Sequence, residues 1–319
     1  MFALFSLLAA LYLATNIGAN NAATSMAPAH GAGLWGRRRT LAIYAVAVLL
    51  GAIVASHAGI RTLGFDLIGP ALYERPLLLP IVLAVAGSCI LTATLFGLPV
   101  STTHATVASL VGVGAALGSV REAAVLRLLV WWAVTPFAAL ASSYLVGRLL
   151  YTRLLLGLYR LRGRRSSRRW FGALVTLTGG YVAFSAGANS TANSVGALVG
   201  AGILQSREAA WIAGLAMASG GLLFGGRVLD TLAKKVTRIS LVRAVVVELV
   251  SGSVVLVSAL WGVPISLTAV VTFSILGLRL ARTAAAMETE KAVPRILIAW
   301  TASPSVAFLL AYLFIVTGR

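Results

Sequence analysis

The chain has 319 residues, of which 59% are hydrophobic and only 11% charged, with a mean hydropathy of +0.95. A soluble domain carries about 25% charged residues, so this composition excludes a water-soluble fold and defines an integral membrane protein. The formal charge of +18 comes from 26 Lys and Arg against 8 Asp and Glu. These basic residues sit in short loops between apolar runs, the positive-inside pattern, so the excess does not point to nucleic acid.

Residues 1–17 form an apolar run that imitates a signal peptide. It leads directly into Gly18-Ala19-Asn20-Asn21-Ala22-Ala23-Thr24-Ser25 and is read as a retained first helix. Pro28 and the basic stop Arg37-Arg38-Arg39 follow, then a second span at 40–58. The loop with Arg61, Asp66, Glu74 and Arg75 is neutral. A span at 77–97 contains the single cysteine, Cys89, which leaves no disulfide framework or cysteine metal site. Pro99-Val100-Ser101-Thr102-Thr103-His104 opens a segment to Gly118, and another span covers 123–147. Eight arginines between Arg148 and Arg169 mark a cytoplasmic linker.

After the linker the chain repeats. Gly18 maps to Gly187 at an offset of 169, Pro99 and Ser101 to Pro264 and Ser266 at 165, and Arg127, Trp132 and Pro136 to Arg295, Trp300 and Pro304 at 168. Nearly constant offsets over several landmarks define two halves, residues 1–147 and 170–319, joined by the linker 148–169. The basic bias switches loops between them. The Arg37–Arg39 loop corresponds to a neutral one at 205–208, and the neutral 59–76 loop to a basic one at 226–243, the pattern of two halves in opposite orientation.

The second half carries Gly187-Ala188-Asn189-Ser190-Thr191-Ala192-Asn193-Ser194, the counterpart of the first motif. Small, hydroxyl and amide side chains without a charge make a poor lipid-facing helix, because unpaired polar groups in hydrocarbon cost several kcal/mol each. They suit broken helix ends lining a polar cavity. Residues 170–205 are too long for one span and too short for three, so one crossing plus a broken segment is expected, with the break at Gly-Ala-Asn.

These two Gly-Ala-Asn motifs, with Pro99–His104 and its weaker twin Pro264-Ile265-Ser266-Leu267-Thr268, resemble the duplicated signature of the inorganic phosphate transporter (PiT) family over nearly the whole chain. The resemblance implies an all-α, inverted-repeat transporter of about 10–12 membrane segments with broken or re-entrant helices, binding an anion at mid-membrane. In that family an Asp follows Gly-Ala-Asn in each half. Here the positions hold Asn21 and Ser190, and Thr24 stands where the first motif usually carries another Asn. In these departures, and in Phe184–Gly187 and Gly226–Leu229, the chain is similar to the CysP-like sulfate permease branch.

The chemistry points the same way. Phosphate near neutral pH carries a P–OH donor, so a carboxylate acceptor suits it and repels a fully ionised anion. Sulfate only accepts hydrogen bonds. Without the aspartates the motifs offer donors: the amides of Asn20, Asn21, Asn189 and Asn193 and the hydroxyls of Thr24, Ser25, Ser190, Thr191 and Ser194, with Ser101, Thr102, Thr103, Ser266 and Thr268 beside them. Backbone N–H groups at half-helix N-termini complete the cradle. Loss of hard anionic ligands makes sodium coupling less favoured than proton coupling. Glu248, in an apolar run, and His104 are the titratable candidates for membrane depth and proton coupling.

Bland readings stand beside these. Small polar residues in membrane helices often serve packing alone, His104 suits a packed histidine, and Glu248 suits an interfacial carboxylate beside Arg243. The expected function is secondary active import of a tetrahedral oxyanion, sulfate first. Phosphate transport and a passive anion channel are the alternatives. An enzyme is not expected: adjacent Thr103 and His104 seldom align as nucleophile and base. No cofactor or metal is implied. The partners are the oxyanion, protons and the bilayer of the inner membrane, and a homodimer is open to such a chain.

Overall fold

The computed structural model describes the chain apart from residues 32, 70–71, 76, 96–99, 151–155, 157–165, 237–240, 282–285 and 318–319. Pro99 and most of the arginine linker lie outside the described residues. The described chain is helical: α1 (Phe2–Gly31), α2 (Arg37–Ala55), a short α3 (His57–Arg61) continued by a wide π turn, α4 (Leu78–Leu95), α5 (Thr102–Ala116), α6 (Glu122–Leu149), α7 (Ser166–Gly200), α8 (Ser206–Val236), α9 (Leu241–Leu260), α10 (Leu267–Leu280) and α11 (Ala286–Thr317). Among the described residues, α1, α2, α6, α8 and α9 are long and apolar enough to cross a membrane.

The Gly-Ala-Asn motifs do not break their helices. Helix α1 runs for 30 residues and α7 for 35, straight through Asn20-Asn21 and Asn189-Ser190. At a rise of about 1.5 Å per residue, α7 is about 52 Å long, so one continuous helix uses up the length for which a broken segment was expected. The hydroxyls explain the continuity. Thr24 donates to Asn20 O, Thr191 to Gly187 O at 2.7 Å and Ser194 to Thr191 O, so each is satisfied on its own helix.

The breaks lie instead before α5 and α10, which have 15 and 14 residues against the roughly 20 needed to span a bilayer. Helix α9 ends at Leu260 and is closed off by a turn at Gly262, whose φ of +71° allows the closing bonds Gly262 N–H to Ala259 O and Val263 N–H to Ser258 O. Val263-Pro264-Ile265 then runs without helix until the Ser266 side chain caps α10 by accepting from Ala269 N–H. Ser101 caps α5 in the same way, accepting from His104 N–H.

Small residues let the helices meet backbone to backbone. Gly18 in α1 lies against the Met217 carbonyl in α8, and Gly187 in α7 against the Val48 carbonyl in α2. Gly51 meets Phe184 O, and Gly220 meets Thr15 O. The members of each of these two pairs of contacts exchange places under the repeat offset of 169. Helix α1 runs antiparallel to α7: Asn21 meets Ser190, while Ser25 lies near Gly179.

Charges separate along the helices. At one end His30 and Arg37 pair with Asp230 at 3.0 and 3.1 Å, and Trp35 donates to Thr176. At the other, His57 meets Ser206 at 3.1 Å and Arg127 approaches Asp66 at 3.9 Å.

Candidate functional site

The motif side chains are buried: Asn21 and Asn189 are each 2% exposed and Ser190 1%. They divide into groups. In the first, the Asn21 carboxamide donates to the Ser190 hydroxyl at 3.1 Å. This joins the two positions where the resemblance places aspartates.

The second group surrounds the break before α10. Asn189 holds the Ile265 backbone as a neighbouring strand would: its Nδ2 donates to Ile265 O at 2.9 Å, and Ile265 N–H donates to its Oδ1 at 2.9 Å. Thr103 Oγ1 also donates to Ile265 O, at 3.0 Å, and accepts from Asn193 Nδ2 at 3.1 Å. Thr103 therefore spends its one hydroxyl donor, and Asn189 one of its two amide N–H groups, on positioning the break. Asn193 Oδ1 is buried with no hydrogen-bond partner.

The third group lines a cavity of about 190 Å³ between α1, α7, α8, α9 and α10. Thr24 of the first half and Thr268 of the second face it, with Glu248 and Thr272. Thr268 Oγ1 lies 3.1 Å from Ser266 Oγ, so the cap of α10 leads into this cavity. Glu248, 3% exposed, accepts from Thr178 Oγ1 at 2.5 Å through Oε2, and its Oε1 is buried without a partner. The Ser25 hydroxyl is buried without a partner too.

Other expected residues lie apart. Asn20 reaches Thr94 at 3.5 Å, Thr191 and Ser194 bond within α7, and Thr102 is buried on the first turn of α5. His104 does not join Glu248. It lines a different cavity, with its ring 4.0 Å from that of Trp132.

The residues that sequence reasoning missed are the partners. Thr178 and Thr94 lie in apolar runs, where a lone threonine gives no signal. Trp132, whose Nε1 donates to Pro264 O at 2.9 Å, had one: it was already a landmark of the repeat. Among the described residues no group of His, Cys, Asp and Glu could hold a metal.

Buried donors at two short helix N-termini, inside an all-helical bundle with an apolar exterior, define a multi-pass membrane transporter. Residues 17–311 match the model of the phosphate transporter family, and the chain belongs to that family. It is 32% identical over 317 residues to the sulfate permease CysP of Bacillus subtilis, covering 98% of this chain and 87% of that one. It is 26% identical to a putative phosphate permease of Pyrococcus horikoshii, covering 94% and 93%. A solved structure described as the sodium-dependent phosphate transporter superposes with a TM-score of 0.81 at 24% identity, covering 99% of this chain and 98% of the other.

Proposed function

We propose that the chain imports a tetrahedral oxyanion, sulfate in the first place, in symport with protons. One observation carries the sulfate reading: the positions of the family's two aspartates hold Asn21 and Ser190, bonded to each other. A dianion that only accepts hydrogen bonds meets no fixed carboxylate there. The likeness to the Bacillus subtilis sulfate permease supports the same reading.

One feature favours phosphate as the second reading. Asn193 Oδ1 is a buried acceptor without a partner, and a P–OH would supply the donor that sulfate lacks.

Glu248 is the proposed proton carrier, because it shares the 190 Å³ cavity with a motif threonine from each half. The proposed architecture is a pair of inverted repeats, with the amino terminus outside. It is supported by the reciprocal glycine contacts and by the antiparallel course of α1 and α7.

The test is uptake of labelled sulfate into proteoliposomes against a panel of phosphate, thiosulfate, selenate and molybdate. Sulfate should be taken up and phosphate should compete weakly. Strong competition by phosphate with poor sulfate uptake overturns the first reading in favour of the second.

A further inference from the structure

A cavity of about 750 Å³ lies between α5, α6 and α11, apart from the motif clusters. Its walls are mostly hydrocarbon, with Val107, Val111, Leu128 and Phe308 among them. Two lining side chains, Leu129 and Leu309, are 50% and 52% exposed. The same two helices expose Leu126, Val130, Val306 and Leu313. The cavity therefore opens onto the surface that meets the acyl region of the bilayer, and its occupant arrives from there.

The polar groups of the wall narrow the chemistry. Ser305 donates to Thr301 O at 2.8 Å, and Trp132 Nε1 to Pro264 O. His104 is 9% exposed, and its Nε2 is buried without a hydrogen-bond partner. Among the described residues no charged side chain lines the space. A small-molecule site typically has about 300–1,000 Å³ of mostly apolar wall with one or two placed polar groups, and this cavity fits that description.

We propose that this cavity binds a single-chain amphiphile from the bilayer, an acyl or isoprenoid chain ending in a hydroxyl or an un-ionised carboxyl, with the head group on His104. A flexible chain can follow the cavity inward to His104. A helix of a second copy, about 10–12 Å across with its side chains, would lie along the outside instead. The position also implies a consequence, which rests on the transport reading. Trp132 and His104 form the wall between this cavity and the Pro264–Ile265 break, and an occupant pressing Trp132 onto Pro264 would stiffen the break and slow transport.

The test uses a long-chain alcohol with a photoreactive diazirine on its chain, applied to the purified full-length protein in lipid nanodiscs and mapped by mass spectrometry. Labelling is expected at residues 107–111, 128–132 and 304–309, displaced by the unlabelled alcohol. Ala108→Trp and, separately, Leu129→Trp should each suppress it by filling the space. His104→Phe should weaken the alcohol about fivefold while leaving an alkane of equal length unaffected, the loss of one net hydrogen bond. Labelling spread evenly over the exposed faces, or unchanged in both tryptophan variants, overturns the site. Chain-to-chain cross-linking at these positions replaces the amphiphile with a second copy. None of these readouts needs transport, so the site can stand or fall apart from the sulfate reading. Site-specific labelling with an unchanged sulfate uptake rate overturns only the regulatory consequence.

Discussion

Asn21 and Ser190 are 169 residues apart, the offset at which the Gly-Ala-Asn motifs repeat, and they hydrogen-bond to each other at 3.1 Å. Positions that correspond under this offset thus meet in the interior, as the proposed pair of inverted repeats requires. Carboxylates placed at both positions would lie close enough to share one proton. The double variant Asn21→Asp/Ser190→Asp should lose sulfate uptake and gain phosphate uptake as the pH falls toward the range of the shared proton. Either single variant should lose less. Sulfate uptake by the double variant equal to the parent's would remove these positions from the anion path.

The reciprocal glycine contacts predict matched effects in the two halves. A methyl group at Gly18 would overlap the Met217 carbonyl, and one at Gly187 the Val48 carbonyl. Overpacking of this kind costs about 1–3 kcal/mol. Gly18→Ala and Gly187→Ala should both lower the melting temperature in detergent, by similar amounts. Gly36→Ala, where nothing lies within 4 Å, should leave it unchanged. Equal melting of all three would mean that the helices can separate without penalty.

Asn189 should behave as a positioning residue. Its carboxamide satisfies both polar groups of the Ile265 backbone. Asn189→Ala strands a buried N–H and weakens the hold on the carbonyl, at a cost of about 1–3 kcal/mol. Asn189→Asp keeps the acceptor but sets a carboxylate against Ile265 O. Both should lower thermal stability and sulfate uptake together. An Asn189→Ala protein with normal stability and a raised KM alone would indicate direct contact with the anion instead.

The all-helical membrane fold and several of its spans were legible in the sequence, because apolar runs and arginine stops mark them: the spans expected at 40–58 and 123–147 are α2 (Arg37–Ala55) and α6 (Glu122–Leu149). The place of the helix breaks was misread. Gly18 and Gly187 looked like breakers, but their work is close approach to a neighbouring backbone. The hydroxyls of Thr24 and Thr191 beside them bond back to their own helices, so they do not interrupt the helical ladder. The true break before α10 had its own signal: Gly262, then Pro264, then Ser266 at a helix N-cap, matched by Gly97, Pro99 and Ser101. The sorting of the donors was beyond the sequence. Nothing in the motif distinguishes Asn189, committed to Ile265, from Asn193, which keeps a free acceptor.

Orientation follows from which ends come together. Arg37 and Asp230 meet at one end, and His57 and Ser206 at the other. The first end carries the Arg37–Arg39 stop and should face the cytoplasm. In a Cys89→Ser background, Arg38→Cys and Arg207→Cys should label from opposite sides of the membrane. Labelling of both from the same side would overturn the inverted arrangement.

Coupling is the last expectation. Each charge moved against the membrane potential costs about 2.3 kcal/mol per 100 mV, so a dianion entering alone meets about 4.6 kcal/mol at that potential. At least two cations per cycle make uptake electroneutral. Glu248 faces the cavity shared by Thr24 and Thr268, with Oε1 unpartnered, so its charge state bears directly on an anion there. An ionised carboxylate repels the anion. A protonated one removes that repulsion and offers an O–H, so the proton and the anion favour each other's binding. Uptake of sulfate should therefore rise as external pH falls and collapse with a protonophore. Glu248→Gln mimics the protonated form permanently. It should keep exchange of labelled for unlabelled sulfate, which needs no net proton movement, while losing accumulation against a gradient. His104, on the far side of the Trp132 wall, should matter less: His104→Phe should retain accumulation. Accumulation by Glu248→Gln equal to the parent's would take Glu248 out of the coupling, and a parent insensitive to protonophore would take out the proton itself.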